Sequence, residues 1–270
     1  MKPAPFDYLR AASLADAHEA LAAEGSDAAV IAGGQTLVPL LSMRMARPSV
    51  VVDIMHVPEL HGIRLVGDAI HVGASVRQAE LLAWPELEKQ QPLLAQALPW
   101  VGHWQTRARG TVCGSVALAD PSAELPLVLT ALDGQVVLSS TSGRRTVKAD
   151  DFFTGLMSTA RRDDELIEAV SFPCRRVGEG FAFAEFARRH GDFAIVACAA
   201  IASGDKVRLA VGGVADRPVV HDFAEVSDDA LAAFAAELDA RDDLHASADY
   251  RRDLVRRLGR ATIEEAKCRA

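Results

Sequence analysis

The stretch VIAGGQTLVPLL, Val30 to Leu41, constrains the fold more than any other part of the chain. An apolar run ends in two glycines, a polar pair follows, and a second apolar run with helical spacing begins. A chain that turns from strand to helix with no side chain at Gly33 or Gly34 can reach left-handed conformations and be approached closely by a ligand. Successive N–H groups in such a turn make an anion-binding concavity, and the helix start behind it adds partial positive charge. RARGTVCGSVALADPSAELP, Arg107 to Pro126, repeats the same physics, with Gly110 and Gly114 set among Thr111, Ser115 and Ser122. Two such loops suit one pyrophosphate gripped from two sides, with Thr36, Thr111 and Ser115 as hydroxyl donors. Each loop taken singly also reads as a plain tight turn, and neither is a G-x-G-x-x-G or Walker A sequence.

The surrounding pattern mixes helix and strand. SLADAHEALAAEG predicts a helix capped by Ser13 and closed by Gly25. AAVIA and PSVVVDI read as short strands, and IRLVGDAIHVGA as a hairpin around Gly67-Asp68. QPLLAQALPWVG is helical up to Pro99, and ELPLVLTALDG is a helix ending near Gly134. QVVLSSTSGRRTVKADDF gives two strands around a Ser-Gly turn, and LIEAVSFP a strand stopped by Pro173. The polar connector CRRVGEG marks a domain boundary. Beyond it, GFAFAEFARR, FAIVACAAIASG and KVRLAVGGV predict a three-stranded antiparallel sheet. Two helices follow, the last an Arg- and Glu-rich amphipathic helix from about Ser247. The division expected is residues 1–175, with subdomains of about 1–57 and 58–175, and then 176–270.

The chain has 270 residues and a formal net charge of −8, with no basic stripe of the kind nucleic acid requires. No apolar run reaches the length of a membrane span, and MKPAPFDYLR lacks the apolar core of a secretory signal. Cys113, Cys174, Cys198 and Cys268 lie far apart with no C-x-x-C pair, so neither a metal site nor a disulfide framework is expected. A reducing cytoplasm is the expected location.

Together the two loops resemble a known family. AGGQTLVPLLSMRMARP followed by RARGTVCGSVALADPSAELP is similar to the FAD-binding, medium subunit of molybdenum hydroxylases, the carbon monoxide dehydrogenase and xanthine dehydrogenase flavoproteins. PFDYLRAASLADAHEAL and RRHGDFAIVACAA extend the resemblance over essentially the whole chain. It implies an α+β fold of the vanillyl-alcohol-oxidase type, with two subdomains holding FAD and a C-terminal three-stranded sheet plus helices. Carried over by position, Ala32, Gly33, Gly34, Gln35 and Thr36 would bind pyrophosphate, and Thr111, Gly114 and Ser115 would form a second phosphate loop. Asp120 would accept hydrogen bonds from the ribityl chain or a nearby backbone, and Phe193 would stand near the flavin ring. The resemblance also implies a large molybdopterin-binding partner, a small partner with two [2Fe–2S] clusters, and a dimer of such heterotrimers. This chain would pass electrons from the clusters through FAD to a final acceptor, with no catalytic residue and no metal of its own. A stand-alone FAD oxidase or reductase, and a scaffold that has lost its flavin, are the other readings of the same fold.

Departures from the family pattern carry their own expectations. Cys113 stands where a glycine is usual, which requires a negative φ or tolerated strain there. It reads as a small buried filler, or else as a redox thiol or flavin attachment point. Ser115 replaces a common asparagine, and Phe193 a common tyrosine. Asp120 and Glu124 have acid–base spacing, but Pro121 between them favours Glu124 as a first-turn helix acid. His103, Trp104 and Arg107 suit core packing, a subunit contact or the flavin edge. Arg44 and Arg47 suit either phosphate pairing or a solvated helix end. Phe181, Phe183 and Phe186 read as strand faces. The Trp100–Arg109 region and the C-terminal domain are the expected partner surfaces.

Overall fold

The computed structural model of the chain describes residues 2–270. Its first sheet is parallel, with β3 (Val50–Asp53) between β1 (Asp7–Arg10) and β2 (Ala28–Ile31). Parallel neighbours need crossovers, and α1 (Leu14–Glu24) and α2 (Leu37–Ser42) supply them. Ser13 starts α1 with a reciprocal capping box. Its hydroxyl accepts from Asp16 N–H, and the Asp16 carboxylate accepts from Ser13 N–H. Gly25, at φ +53°, ends it.

A hairpin of β4 (Ile63–Val66) and β5 (Ala69–Gly73) opens the second sheet. Six short helices then intervene: α3 (Gln78–Leu82), α4 (Leu87–Gln90), α5 (Pro92–Ala97), α6 (Trp104–Arg107), α7 (Val112–Leu118) and α8 (Glu124–Ala131). β6 (Gln135–Ser140) and β7 (Gly143–Lys148) form the next hairpin. After α9 (Ala149–Phe152) and the small hairpin of β8 (Phe153–Gly155) and β9 (Ser158–Thr159), β10 (Leu166–Pro173) inserts between β5 and β6. The sheet is antiparallel in the order β4-β5-β10-β6-β7.

The last sheet has four strands, one more than the apolar pattern indicates: β11 (Glu179–Phe186), β12 (Val196–Ser203), β13 (Lys206–Gly212) and β14 (Val219–Phe223), all antiparallel in that order. The added strand, VVHDF, is an edge strand pairing only with β13. A half-exposed edge tolerates His221 and Asp222, which break the apolar run that betrays the inner strands. Asp222 is held there by a bidentate Arg208 reaching across from β13.

Both faces of this sheet are covered, which is why β12 is apolar from Val196 to Ala202. Phe181, Phe183, Ala197, Ala199 and Ala210 join the core shared with the N-terminal region. Ala182, Val196, Cys198, Ala200 and Leu209 face the other way, against α10 (Asp228–Glu237) and α11 (Ala248–Cys268). The buried positions of α11, Arg251, Val255, Gly259, Thr262, Ile263 and Ala266, recur at helical spacing. No helix among the described residues is long and apolar enough to cross a membrane.

Candidate functional site

The Ala32–Thr36 loop leaves β2 and enters α2, as its sequence predicts. Gly34 has φ +71°, a left-handed turn that a β-branched residue resists. Gly33 is bare for a different reason. A Cβ there would stand 2.2 Å from the Arg109 carbonyl oxygen and 2.7 Å from Gly110 Cα. The first glycine loop is therefore packed backbone to backbone against the second. Among the described residues, the amides of Gly33, Gly34, Gln35, Thr36 and Leu37 find no acceptor, and the Thr36 hydroxyl makes no cap. Five successive donors left open at a helix start are the arrangement an anion fills.

The second loop is built more tightly. Gln78 N–H donates to Gly110 O (2.9 Å) and Val112 N–H to Val76 O (3.1 Å), so residues 76–78 and 110–112 pair as a short antiparallel bridge. Gly110 N–H donates to Thr106 O at 2.7 Å. The Thr111 hydroxyl caps α7 by accepting from Gly114 N–H at 3.0 Å, and a Cβ on Gly114 would crowd that oxygen at 2.8 Å. Cys113 lies inside α7 without a positive φ, so its side chain needs no strained backbone. Its thiol donates to Val72 O, and burial pushes it up to about 12, which keeps it protonated and unreactive. This is the buried-filler reading. All four cysteines are free thiols.

A cavity of about 940 Å³ opens over the first loop. Ile31 to Gln35, Val38 and Pro39 line it, together with Tyr8, Asp53, His56, His61 and Glu80. Arg77 and Arg109 bring positive charge to it. Arg109 has no distinctive sequence signal beyond its place in the second loop, and Arg77, 30 residues ahead of that loop, is brought to it only by the fold. Arg44 and Arg47, the sequence candidates, are engaged elsewhere, with Nε of each donating to a backbone carbonyl, Lys2 O and Arg44 O. They belong to the end of α2. Open amides, a glycine-lined wall and two cations fit a phosphate-bearing ligand.

Thr111, Gly114, Ser115, Asp120 and Phe193 do not line this cavity. Asp120 follows Ala119, which ends α7 in a left-handed conformation at φ +53°. Its carboxylate accepts from Ser122 N–H at 2.9 Å, and burial raises its pKa. Glu124 begins α8 and is 4% exposed; burial pushes it up to about 7, with the charge of Asp120 adding and Arg107 opposing. Glu185, on β11, joins the same cluster. Both its carboxyl oxygens are buried without a partner, and burial with the nearby Glu124 pushes it up to about 8. Sequence reading takes Glu124 for an ordinary helix-start acid and passes over Glu185, because burial by segments distant in sequence has no local signature.

Phe193 is 60% exposed, on the loop between β11 and β12. That loop leans on the Trp100–Arg107 segment. His190 meets Trp100 edge-on at 5.1 Å, and a Cβ on Gly191 would lie 2.6 Å from the His103 ring. Arg107 clips its own segment by donating to Pro99 O, Val101 O and Gly102 O. Trp104 is 69% exposed and so is no core residue. Among the described residues, no group of three His, Cys, Asp or Glu side chains is placed to hold a metal ion.

The fold and the open-amide loop define a protein of mixed helix and sheet with a row of unfilled backbone donors beside a cavity, and comparison with known proteins makes its class specific. Residues 4–175 match the family described as the FAD-binding domain in molybdopterin dehydrogenase. Over 285 residues the chain is 40% identical to the nicotine 6-hydroxylase medium subunit of Paenarthrobacter nicotinovorans, covering 100% of both chains. It is likewise 40% identical over 287 residues to the 6-hydroxypseudooxynicotine dehydrogenase complex subunit alpha of that organism, covering 100% of this chain and 97% of the other. A chain of reconstituted CO dehydrogenase from Oligotropha carboxidovorans superposes with a TM-score of 0.94 at 30% identity, 100% of each chain being covered. The chain belongs to the FAD-binding medium-subunit family of the molybdenum hydroxylases.

Proposed function

We propose that this chain carries FAD as the electron-transfer subunit of a molybdenum hydroxylase complex. It takes electrons from [2Fe–2S] clusters of a small partner and delivers them to a final acceptor, while a large molybdopterin-binding partner oxidises the substrate. When bound, FAD supplies the redox chemistry, and the chain supplies placement and electrostatics. Ala32 to Thr36 hold the pyrophosphate, on amides that have no other acceptor. Thr111, Gly114 and Ser115 close the second side. Asp120 accepts from the ribityl chain, and Phe193 flanks the ring. Residues 1–175 form the flavin domain, with a seam near residue 57 between two subdomains of the vanillyl-alcohol-oxidase type, and residues 176–270 form the second domain. The complex is a cytoplasmic dimer of heterotrimers.

The observation that carries this reading is the row of open amides from Gly33 to Leu37, beside Arg109, in a chain that matches medium subunits end to end. A scaffold that had lost its flavin would have no reason to keep that row open. The test is direct. The purified chain should contain close to one FAD, released into the supernatant by acid precipitation. It should accept electrons from a chemical reductant and pass them to a dye, yet turn over no purine, aldehyde, N-heterocycle or carbon monoxide until the partner chains are added. Flavin reduction by such a substrate in the pure chain would favour the stand-alone oxidase instead.

A further inference from the structure

The side chain that ties the outer parts of this site together lies in neither glycine loop. Arg251, in the first turn of α11, is 5% exposed. Its Nη1 donates to Ile195 O (2.8 Å) and Gly213 O (2.6 Å), and its Nη2 to Asp243 Oδ2 (2.6 Å). Each carbonyl belongs to a segment that serves the site. Ile195 closes the loop bearing Phe193, because its own N–H donates to Phe186 O across the loop base at 2.8 Å. Gly213 N–H donates to Pro121 O at 2.7 Å, the residue after Asp120. Gly213 has φ +77°, and a Cβ on it would stand 2.8 Å from Ile195 O and 2.9 Å from Ala194 O, so these backbones touch. Asp243 is itself fixed, its Oδ1 accepting from His245 and Ala246 N–H.

We propose that Arg251 is a positioning residue for the flavin: it locks the Phe193 loop against the Asp120–Pro121 turn and so sets how open the ring is to its acceptor. This rests on the reading that Asp120 and Phe193 flank bound FAD. The guanidinium reaches two carbonyls and a carboxylate from its two terminal nitrogens, while its Nε is buried without a partner; a lysine has three donors but only one nitrogen from which to span these acceptors. The neighbouring Arg252 shows what a residue of the C-terminal domain alone looks like, since it reaches Leu238 O and Asp249 and no segment of the site. Two of the three side-chain hydrogen bonds of Arg251 go to Ile195 and Gly213, whose backbones touch, and the third goes to Asp243.

The test uses the full FAD-loaded chain and the variants Arg251→Met, Arg251→Lys and Asp243→Asn. Arg251→Met leaves both glycine loops untouched, so FAD content should hold. Re-oxidation of the reduced flavin by oxygen should change by about threefold or more, with Arg251→Lys falling between the two. Amide hydrogen exchange, which needs no flavin, should quicken together in residues 187–195 and 119–124 while β12, β13 and α10 stay protected. Faster exchange confined to α11, or spread evenly over residues 176–270, overturns the proposal. So does an unchanged re-oxidation rate with FAD bound. If Arg251→Met does not fold, Asp243→Asn decides: the same two segments should loosen by a smaller amount, and wild-type behaviour in both readouts overturns the idea. A wild-type chain that binds no FAD defeats the functional reading, and the exchange pattern still decides the coupling.

Discussion

Among the described residues the amides from Gly33 to Leu37, five in a row, have no acceptor; in the second loop those of Gly110, Val112, Gly114 and Ser115 have one, and the two that lack one, Thr111 and Cys113, are not adjacent. The two stretches look interchangeable in sequence, each a pair of glycines among hydroxyl residues ahead of a helix. In the structure they divide the labour. The first loop leaves its donors unfilled beside the cavity. The second is a braced wall, pinned to residues 76–78 and capped on itself, against which the first is pressed. Gly33 is the contact between them and Gly34 the turn that opens the donors. A loop with free amides is costly to hold open on its own, since a flexible chain would collapse onto its own acceptors. The rigid neighbour keeps it from doing so.

This comparison makes Gly33→Ala the most damaging single change. The added methyl meets backbone atoms on both Arg109 and Gly110, which cannot swing aside. Separating the loops should cost about 3 kcal/mol of stability and abolish FAD retention through gel filtration. If Gly33→Ala purifies with full flavin and an unchanged melting temperature, the loops are not braced against each other. Gly34→Ala should come next. Its Cβ would stand 3.1 Å from a Val38 methyl, a milder contact, but the left-handed φ costs about 1–2 kcal/mol. Gly34→Asn, which tolerates that conformation, should recover part of the loss, separating backbone strain from blockage of the cradle.

Removing charge tests the ligand side. Arg109→Gln takes a cation from the cavity wall without disturbing the backbone that Gly33 touches. FAD affinity should fall by about tenfold, the value of a charge-assisted contact, and more of that loss should appear at low salt than at high salt. Thr111→Val addresses the second loop in the same way. It removes the cap of α7 and should lower stability by about 1 kcal/mol, with a much smaller effect on FAD than Gly33→Ala. Equal losses of FAD from the two variants would erase the distinction between donor loop and wall.

Much of this was readable before the structure. Ser13, Gly25 and Ser247 announce the ends of their helices, because caps are local chemistry. The glycines of both loops are visible for the same reason. What separates the loops is not visible, because it depends on which acceptors the fold brings near each amide: Val76 and Thr106 supply the second loop, and no residue supplies the first. Arg77 and Arg109 gain their place in the cavity wall from that pairing, and Arg44, closer to the first loop in sequence, has a left-handed backbone at φ +59° and donates to Lys2 O instead. β14 escaped notice because an edge strand needs no apolar run. Arg251 and Glu185 carry no local mark, because the carbonyls that Arg251 reaches and the Glu124 carboxyl that acts on Glu185 lie far off in sequence.

The smallest effect concerns the buried carboxyl cluster beside the second loop. Glu185 is held up to about 8 and Glu124 up to about 7, chiefly by burial, against an ordinary value of 4.5. Asp120 and Glu124 face this seam with negative charge, and Arg107 is the cation that acts on Glu124. A carboxyl whose folded pKa is raised binds its proton more tightly when folded than when unfolded. Between about 4.5 and 8 the folded chain therefore carries more protons, and its stability falls as pH rises through that window; below and above it the effect is constant. Glu185→Gln removes this titration and keeps the shape. In the cofactor-free chain the two proteins should melt together near pH 5, and the variant should be the more stable at pH 8.5, by on the order of 1 kcal/mol once partial solvent screening is allowed for. Comparing the pair cancels His18 and His71, whose lowered pKa values act in the opposite direction. Parallel melting curves across the range would mean that the Glu185 carboxyl is hydrated in solution, and that the seam beside the second loop is open where the structure has it closed.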